Sequence, residues 1–564
     1  MNVAGPLLSL LVLAPSEIDR APPLAALVGD EAPFVVELAD GGAWVDLALE
    51  SDLWRRLRAT PEIEAALASP DVRRARSGLA MFAGLLDRSS VDAVKTVLGR
   101  ELAAAVTPRG PGDAALLVAV RLEDPDEAER LGEVVDHFLT LIAGGDGERG
   151  DGPIRSVNGK EFHAVLADAF LVSNDRAALA AALQRADGAS PAPPARPTGR
   201  GRLAARADLE WLRRANPEAA LPLRFDNAVA SLLLHGLNAA ANRSTRADAR
   251  LEASAGGVDL AVTFDAVPPD EAAWTSPAAD GTAPPPTPAG TLAALTLRRD
   301  LDGFYERRLE LLDPSIEEKV VEFDNVVSIF FGGRSFGEEI LPALGDRATL
   351  LVGEQRYEAL PARPDVRLPG FALVVPIVDP ALRKSDLLVA FQTVVGIVNA
   401  DRAQKGLASM MLSTERVDGI DVASARWMLE DDEEARELRM NASPAVAVVD
   451  GHLVVGSARD HVLDVVAALR RGGAASGDDP SGRIVVRGEP LRAALADNRE
   501  ALVANRMIEE GETRAEAESF WSRADQVLSL LDEAIVRLEH EQGGTTLRLS
   551  LRPFAADEGP EGDR

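Results

Sequence analysis

The sequence predicts an α+β fold in which one unit, an antiparallel sheet with helices packed against it, occurs twice in tandem as two pseudo-symmetric lobes. Three observations predict this fold. The 564 residues are 46% apolar and 27% charged, which is ordinary for globular domains. A Pro-rich segment at 267–290 divides the chain near its middle. The same strand, turn and helix patterns occur in the same order on either side of that segment.

The repeated series begins with a four-residue motif in front of an apolar strand. The motif is Leu-Gly-Arg-Glu at 98–101 in the first half and Leu-Gly-Asp-Arg at 344–347 in the second. In both halves a turn, a second apolar strand that ends at Asp-Pro and an amphipathic helix come next. The second strands are predicted at 114–125 and 371–380, and the helices at 126–142 and 381–398.

The later elements keep the same order. Val-Asn-Gly at 157–159 corresponds to Val-Asp-Gly at 417–419, and a strand, a polar turn and a helix follow each. Each half then has a Gly-Arg strand, a helical stretch and two strands joined by Gly-Gly, which favours a hairpin because glycine takes positive φ at little cost. The strand–turn–helix segments are 169–183 and 452–469, the Gly-Arg strands begin at 201 and 482, the Gly-Gly pairs are 256–257 and 543–544, and the second half has an insertion at 401–441.

The hairpins and the lack of regular βαβ alternation favour an antiparallel sheet and hence the α+β class. Pro, Gly and small polar residues dominate several segments, which cannot bury enough apolar surface to become ordered and therefore read as linkers. The predicted organisation is an apolar leader at 1–30, a first repeat at 31–266 with an internal linker at 188–199, the Pro-rich linker at 267–290, a second repeat at 291–553 with an internal linker at 472–482, and an acidic disordered tail at 554–564.

The composition excludes several classes of function. Acidic residues outnumber basic residues by 90 to 60, so the net charge is −30 and a phosphate backbone is repelled. The sequence therefore predicts no nucleic-acid partner. It contains no cysteine, which excludes disulfides, thiol nucleophiles, Fe–S clusters and Cys-type zinc sites. Its six histidines show no close ligand spacing, and we expect no metal and no cofactor.

Residues 1–14 are uncharged and apolar, the length of a signal-peptide core and too short for a membrane-spanning helix. Two interpretations stay open. No Lys or Arg precedes the apolar run and Pro15 follows the candidate cleavage site, so the segment is either a degenerate export signal or a simple leader. The longest apolar run elsewhere, at 387–398, is typical of a buried helix, and we expect no transmembrane span.

One motif suggests catalysis. Gly-Arg-Ser-Phe-Gly at 333–337 matches G-x-S-x-G, which would place Ser335 as a nucleophile on a strand-to-helix turn. A hydrolase would also need a downstream histidine, for which His452 is a candidate, although a turn between two strands is the better placement for it. The apolar spacing before Ser335 indicates instead a helix that ends at a Gly-Gly turn. We therefore assign no catalytic residue.

Two further segments look functional but are better explained as loops. Gly-Asp-Gly-Glu-Arg-Gly at 145–150 fits G-x-G-x-x-G, yet it follows a helix and leads into a strand, the reverse of a dinucleotide-binding loop. The acidic run at 430–434 lies inside the insertion, where a solvated loop is expected. Neither predicts a binding site.

The Leu-Gly-Arg-Glu motif at 98–101, the Asp-Pro helix starts and the segment at 450–457 resemble those of large uncharacterised bacterial proteins known only as a domain of unknown function. The resemblance spans most of residues 30–553 in pattern. Members of that group are typically exported and have no assigned activity. The resemblance therefore implies an extracytoplasmic protein and provides no catalytic residues.

These observations favour a soluble, non-enzymatic binding or scaffold protein outside the cytoplasm, with an envelope protein or a small ligand as its partner. A cytoplasmic location stays open. The alternative is a carrier of a small apolar ligand, held in a groove between sheet and helices or between the lobes. A serine hydrolase that uses Ser335 is the third hypothesis.

Overall fold

The computed structural model contains helices and a large antiparallel sheet, which confirms the α+β class. The chain divides into two compact units: unit 1 comprises Met1–Asn216 and Arg246–Ala255, and unit 2 comprises Pro217–Thr245 and Gly256–Arg564. The structure describes residues 24–29, 31–51, 54–55, 58, 61–110, 113–123, 125–143, 153–156, 159–188, 202–254, 256–268, 285–358, 363–379, 382, 384–428, 436–472, 481–541 and 543–553.

Unit 1 is built on an antiparallel sheet. Its strands are β1 (Phe34–Ala39), β2 (Glu101–Gly110), β3 (Asp113–Arg121), β4 (Arg155–Ser156), β5 (Phe162–Leu166), β6 (Ala169–Ser173), β7 (Arg202–Asp208) and β8 (Arg246–Ser254). They pair in the order β8–β7–β1–β2–β3–β6–β5–β4. Its described helices are α1 (Leu24–Val28), α2 (Gly41–Glu50), α3 (Pro61–Leu67), α4 (Pro70–Leu85), α5 (Ser90–Leu98), α6 (Pro125–Ala143), α7 (Arg176–Gly188) and α8 (Leu209–Ala215).

The helices of unit 1 begin at residues that can cap them. The hydroxyls of Ser69 and Ser89 accept backbone hydrogen bonds from Val72 (3.3 Å) and Asp92 (3.1 Å) at the starts of α4 and α5. Asp40 caps α2 in the same way, immediately after β1 ends. Each cap satisfies an N–H group that the first helical turn leaves without a partner.

Helices cover both faces of the sheet in unit 1. Leu24 and Leu27 of α1 and Leu179 of α7 are fully buried against Leu171 of β6. The preceding residue, Phe170, points to the opposite face because side chains alternate along a strand. On that face it packs with residues of α4, α5 and α6, among them Ala83, Ala93 and Leu131.

Unit 2 is also built on an antiparallel sheet. Its strands are β9 (Gly257–Phe264), β10 (Thr291–Arg298), β11 (Arg347–Gly353), β12 (Gly370–Pro376), β13 (Met410–Val417), β14 (Ile420–Trp427), β15 (Ala445–Val449), β16 (His452–Gly456), β17 (Gly482–Arg487), β18 (Leu531–Glu541) and β19 (Gly544–Pro553). They pair in the order β9–β19–β18–β17–β10–β11–β12–β16–β15–β14–β13.

The described helices of unit 2 pack on both faces of its sheet. They are α9 (Ala228–Arg243), α10 (Leu301–Glu306), α11 (Arg308–Leu311), α12 (Glu317–Phe330), α13 (Lys384–Gln404), α14 (Arg459–Arg471), α15 (Gly488–Asp497), α16 (Arg499–Glu509) and α17 (Arg514–Leu528). Val462 of α14 packs against Val454 of β16, and Leu387 of α13 belongs to a cluster that includes Leu453. Since Leu453 and Val454 are neighbours on one strand, the two helices lie on opposite faces.

The two units do not divide at the Pro-rich linker. Residues 217–245 and 256–266, which the sequence places in the first repeat, belong to unit 2. Long-range contacts are the cause. β9 pairs with β19, and the Nε of Arg299 donates to the carbonyl of Leu232 in α9 over 3.3 Å. Of the two predicted Gly-Gly hairpins, the one at Gly543-Gly544 is present as β18 and β19. The strands on either side of Gly256-Gly257 pair elsewhere, β8 with β7 and β9 with β19.

Several predicted segments lie outside the described residues. In the part of the chain that the structure describes, no helix is both long enough and apolar enough to cross a membrane. The segments outside it are residues 1–23 of the predicted leader at 1–30, whose residues 24–28 form α1, the G-x-G-x-x-G loop at 145–150, parts of the predicted linkers (189–201, 269–284 and 473–480), the acidic run at 430–434 and the tail at 554–564.

Candidate functional site

The Leu-Gly-Arg-Glu motif at 98–101 lies where α5 ends and β2 begins, and its glycine is a steric requirement. Gly99 has a φ of +62°, and a Cβ at this position would lie 2.4 Å from the carbonyl oxygen of Arg121. The backbone N–H of Arg100 donates to that same oxygen over 2.9 Å. Only glycine therefore lets the end of α5 approach the end of β3 this closely.

The start of α2 contacts the same motif. The backbone N–H groups of Asp40 and Gly41 donate to the carbonyls of Arg100 (2.8 Å) and Gly99 (3.1 Å). A Cβ on Gly41 would lie 2.4 Å from the Cβ of Leu98, so this position is also restricted to glycine. The two glycines bring α2, α5, β2 and β3 together at one end of the sheet.

A cleft of about 400 Å³ opens at this end of unit 1. It lies between α2, α5, the start of β2, the residues that follow β3 and the first turn of α6. Seven of the eleven residues that line it are charged, Thr96 adds a hydroxyl, and the apolar Leu122 is only 2% exposed. The charged residues are Asp40, Asp92, Glu123 and Glu127, with Arg88, Lys95 and Arg100.

Two carboxylates of the cleft are engaged at helix starts. Asp40 accepts a hydrogen bond from the backbone N–H of Ala43 over 2.9 Å and so caps α2. Asp92 accepts a hydrogen bond from the hydroxyl of Ser89, the capping residue of α5, over 2.7 Å. Both side chains serve the local structure.

Three further charges have ion-pair partners. Arg88 donates to Thr96 Oγ1 and forms an ion pair with Glu127, which joins α5 to α6. Lys95 lies 2.5 Å from Asp46 of α2, and the hydrogen bond that its ammonium donates to this carboxylate raises the pKa of Lys95. These contacts hold the walls of the cleft together and neutralise most of its charge.

Arg100 and Glu123 differ from the other charged residues that line the cleft. Neither side chain has a hydrogen-bond or ion-pair partner among the described residues. Both are exposed, and the hydrogen bond from the Arg100 N–H to Arg121 holds the start of β2 beside the chain that leads to Glu123. One guanidinium and one carboxylate, each without a partner, therefore border the same cleft.

The structure places Ser335 in a turn between helices. α12 ends at Phe330, and Gly332 and Gly333 then take φ values of +67° and +90°. The Ser335 hydroxyl accepts a hydrogen bond from the N–H of Glu338 over 3.2 Å and so caps the short helical turn Phe336–Ile340. No strand precedes it, so the local chain does not form the strand-to-helix turn of a nucleophile elbow.

His452 also makes local contacts. It begins β16, and its Nδ1 lies 2.9 Å from the carbonyl oxygen of Asp450 in the turn before that strand. The described contacts of Ser335 and His452 thus stay within their own turns. Nothing in these contacts brings the two side chains together.

Two other histidines are buried in the packing of helices on sheets. His163 of β5 is 1% exposed, and its Nε2 lies 3.3 Å from Asp136 Oδ1 of α6; burial lowers its pKa despite the nearby carboxylate. Burial likewise lowers the pKa of His461, whose ring occupies the space beside Gly353. Within the described residues, no three acidic, histidine or cysteine side chains are grouped to hold a metal ion.

His540 of β18 leads to a testable pH dependence. Its Nδ1 lies 3.1 Å from Thr545 Oγ1, and burial, together with the charge of Arg299, lowers its pKa from 6.5 to about 4. Because the folded-state pKa lies below the unfolded value, the stabilisation is complete above pH 6.5 and is lost as the pH falls toward 4. We expect unit 2 to lose about 3 kcal/mol over this range through His540.

NMR titration of the histidine ring protons, with His540→Gln to assign the signal, measures this pKa directly. The chain has six histidines, so the signals are few. His540→Gln should also reduce the loss of stability between pH 6.5 and 4. A His540 signal that titrates near pH 6.5 would contradict the expected burial.

Sequence reasoning found the motif at 98–101 but not the cleft. The motif served only as a mark of repetition, although the Asp-Gly-Gly at 40–42 directly after an apolar strand was a usable signal. An aspartate there caps a helix, and glycines allow close approach. Glu123 offered no local signal, because it borders the same cleft as Arg100 only through the pairing of β2 with β3.

Comparison with known proteins identifies no family and no function for this chain. No family model and no curated protein matches the chain. Two crystal structures of TP0453, crystal forms III and I, are similar to 43% of this chain at 12% and 11% identity, and the match covers 79% and 77% of their own chains. The TM-score is 0.22 for both, so the likeness carries no argument about fold or function.

Proposed function

We propose that this chain is a non-catalytic binding protein that holds a small zwitterionic solute in the cleft of unit 1. The observation that carries the proposal is which charged side chains of the cleft have hydrogen-bond or ion-pair partners. Its other charged side chains are engaged within unit 1, whereas Arg100 and Glu123 have no partner among the described residues.

A zwitterion fits this arrangement chemically. A guanidinium forms paired hydrogen bonds with a carboxylate, and a carboxylate accepts from an ammonium group. A ligand with one group of each kind would satisfy both residues and leave the net charge of the cleft unchanged. The volume of about 400 Å³ is near the lower end of the range for ligand pockets, which favours a small solute.

The same lining argues against the two other hypotheses for this cleft. An apolar carrier needs a predominantly apolar wall, and seven of the eleven residues that line this cleft are charged. The residues that line the cleft include no serine, histidine or tyrosine, and the hydroxyl of Thr96 donates to the carbonyl of Asp92 over 2.9 Å. Binding is thus the better proposal for this site.

We further propose that the chain arose by tandem duplication. The order β8–β7–β1–β2–β3–β6–β5–β4 of unit 1 has a counterpart of eight strands, β18–β17–β10–β11–β12–β16–β15–β14, in unit 2. Asp40 after β1 and Asp300 after β10 also cap the following helix alike.

Under this proposal, one pair of motifs that match in the sequence does not occupy equivalent places in the two sheets. The motif at 157–159 precedes β5, and its partner at 417–419 lies between β13 and β14, yet the strand order makes β15 the counterpart of β5. β13 then belongs to the insertion of the second half.

A location outside the cytoplasm stays part of the proposal, supported by the apolar residues 1–14 and the family resemblance, and cell fractionation tests it.

Calorimetric titration with free L-amino acids, their carboxamides and their N-acetyl derivatives tests the binding proposal. We expect the free amino acid to bind and each blocked form to bind more weakly. Arg100→Gln and Glu123→Gln should each weaken binding about 10- to 100-fold, because each removes one charge-assisted contact.

The pattern of the variants makes this experiment specific. Arg100→Gln should remove the preference for the free amino acid over its carboxamide. Glu123→Gln should remove the preference for the free amino acid over its N-acetyl derivative. Arg74→Gln is the matched control, since Arg74 is an exposed arginine of α4 in a surface ion pair with Asp71. Equal binding of blocked and free forms, or no binding at all, would exclude the zwitterion.

A further inference from the structure

A row of arginines crosses three adjacent strands of unit 2. In the register of the sheet, Arg483 of β17 lies directly opposite Arg537 of β18, and Arg537 lies directly opposite Arg548 of β19. Directly opposite residues share one face of a sheet and lie about 5 Å apart. The three guanidinium groups therefore project from the same face, side by side.

Such a row is costly unless something compensates it. Like charges directly opposite each other destabilise a sheet. Arg548 has an acceptor, since its Nε donates to Glu539 over 2.9 Å. Arg483 and Arg537 have no hydrogen-bond or ion-pair partner among the described residues, and the Nε of Arg483 is buried. Burial and the charge of Arg537 lower the pKa of Arg483, while the nearby carboxylate of Glu533 acts in the opposite direction and compensates part of the row.

Unit 1 contains an informative contrast. The Gly-Arg strand there places Arg202 of β7 opposite Glu252 of β8, and the Arg202 Nε donates to that carboxylate over 2.7 Å. In the motif alignment Arg202 corresponds to Arg483, so Glu252 corresponds to Arg537. The same strand pair thus has an ion pair in unit 1 and two facing arginines in unit 2.

From this we infer that the arginine row of Arg483, Arg537 and Arg548 is a binding site for a multivalent phosphate. Guanidinium groups bind phosphate oxygens with paired hydrogen bonds, and groups on adjacent strands are spaced to share one phosphate or to hold two joined phosphates. On the next strands the row ends at Thr296 and Thr349, which are buried and hydrogen-bond each other over 3.2 Å, so the arginines alone face a ligand.

The phosphate groups could belong to a free diphosphate or to the headgroup of an anionic lipid, and the experiment separates these two ligands. Inorganic pyrophosphate is titrated into the full chain by calorimetry, and vesicles that contain phosphatidylglycerol are tested by co-sedimentation. We expect pyrophosphate to bind and to raise the thermal midpoint of unit 2. Binding to vesicles alone would assign the row to a lipid headgroup, and binding to neither would overturn the inference.

Arg537→Glu is the decisive variant, because it recreates in unit 2 the ion pair of unit 1. We expect this variant to unfold at a higher temperature than the wild type without ligand, and to bind pyrophosphate at least about tenfold more weakly. Arg537→Gln should also weaken binding. Glu252→Gln in unit 1 is the matched control: it removes the ion pair with Arg202 without adding a positive charge, and it should leave pyrophosphate affinity unchanged. Unchanged affinity in both Arg537 variants would contradict the site.

Discussion

Replacing Gly99 with alanine is expected to lower the free energy of unfolding of unit 1 by at least about 3 kcal/mol. Two effects add. A Cβ would lie 2.4 Å from the carbonyl oxygen of Arg121 and 2.6 Å from Cγ1 of Val120, and the first of these neighbours is backbone that cannot rotate away. The backbone angles of Gly99, φ 62° and ψ −168°, are also in a region that only glycine adopts, at a cost of about 1–3 kcal/mol for other residues.

The loss should appear in unit 1 alone. For a domain of this size, 3 kcal/mol corresponds to a fall in thermal midpoint of about 6–12 °C. Hydrogen exchange followed by mass spectrometry resolves the two units, and we expect faster exchange in β2 and β3 with unit 2 unchanged. The cleft should lose its ligand affinity in parallel, since the glycine positions Arg100.

Gly159→Ala is the matched control in the same unit. Gly159 also has a positive φ of +67°, but an added Cβ would meet no atom within 4 Å. Its substitution should cost about 1 kcal/mol, the conformational cost alone. If both variants lose the same stability, close approach at the cleft is not what restricts position 99 to glycine.

Gly345, the counterpart of Gly99 in the second motif, is constrained differently. Its φ is not positive, and an added Cβ would lie 3.1 Å from the Cβ of Pro376, a tight contact that involves a side chain rather than a backbone oxygen. The two motifs look equivalent in the sequence, yet only the first requires glycine for its backbone conformation. A shared motif therefore indicates a shared place in the chain without a shared physical cause.

This difference shows what the sequence could predict. The α+β class, the hairpin of β18 and β19 and the helix starts follow from local signals: alternation, Gly-Gly and capping residues. Such signals act between residues that are close in the chain. They are the reason that the series of elements was readable in both halves.

The remaining features depend on register between distant strands. The pairing of β9 with β19, which moves residues 256–266 into unit 2, joins segments far apart in the sequence. Register between distant strands also places Arg483 opposite Arg537, and brings Glu123 and Arg100 to the same cleft. Each residue alone is an ordinary surface charge, and only the fold makes it part of a candidate site.

Arg299 shows the same dependence in the core, and its replacement by alanine is expected to destabilise unit 2 by about 3–5 kcal/mol. The side chain is 1% exposed. Its Nη1 donates to the carbonyls of Arg298 (2.7 Å) and Ser481, and its Nε donates to the carbonyl of Leu232 over 3.3 Å. One guanidinium thus joins the end of β10, the start of β17 and helix α9 through backbone acceptors.

Burial lowers the pKa of Arg299 to about 10, so the group stays protonated at neutral pH and its charge is balanced by carbonyl dipoles. Alanine removes all three hydrogen bonds and leaves a cavity. Arg299→Met should lose less, because methionine refills the volume although it restores no hydrogen bond.

Urea unfolding combined with hydrogen exchange of α9, β10 and β17 measures these losses. Arg307→Ala is the matched control, since Arg307 is an exposed arginine close in sequence with a surface ion pair to Glu310, and its loss should cost less than about 0.5 kcal/mol. The order expected is Arg299→Ala, then Arg299→Met, then Arg307→Ala. If Arg299→Met is as stable as the wild type, the carbonyl contacts add nothing beyond the volume that the side chain fills, and hydrophobic packing alone accounts for the junction of α9, β10 and β17.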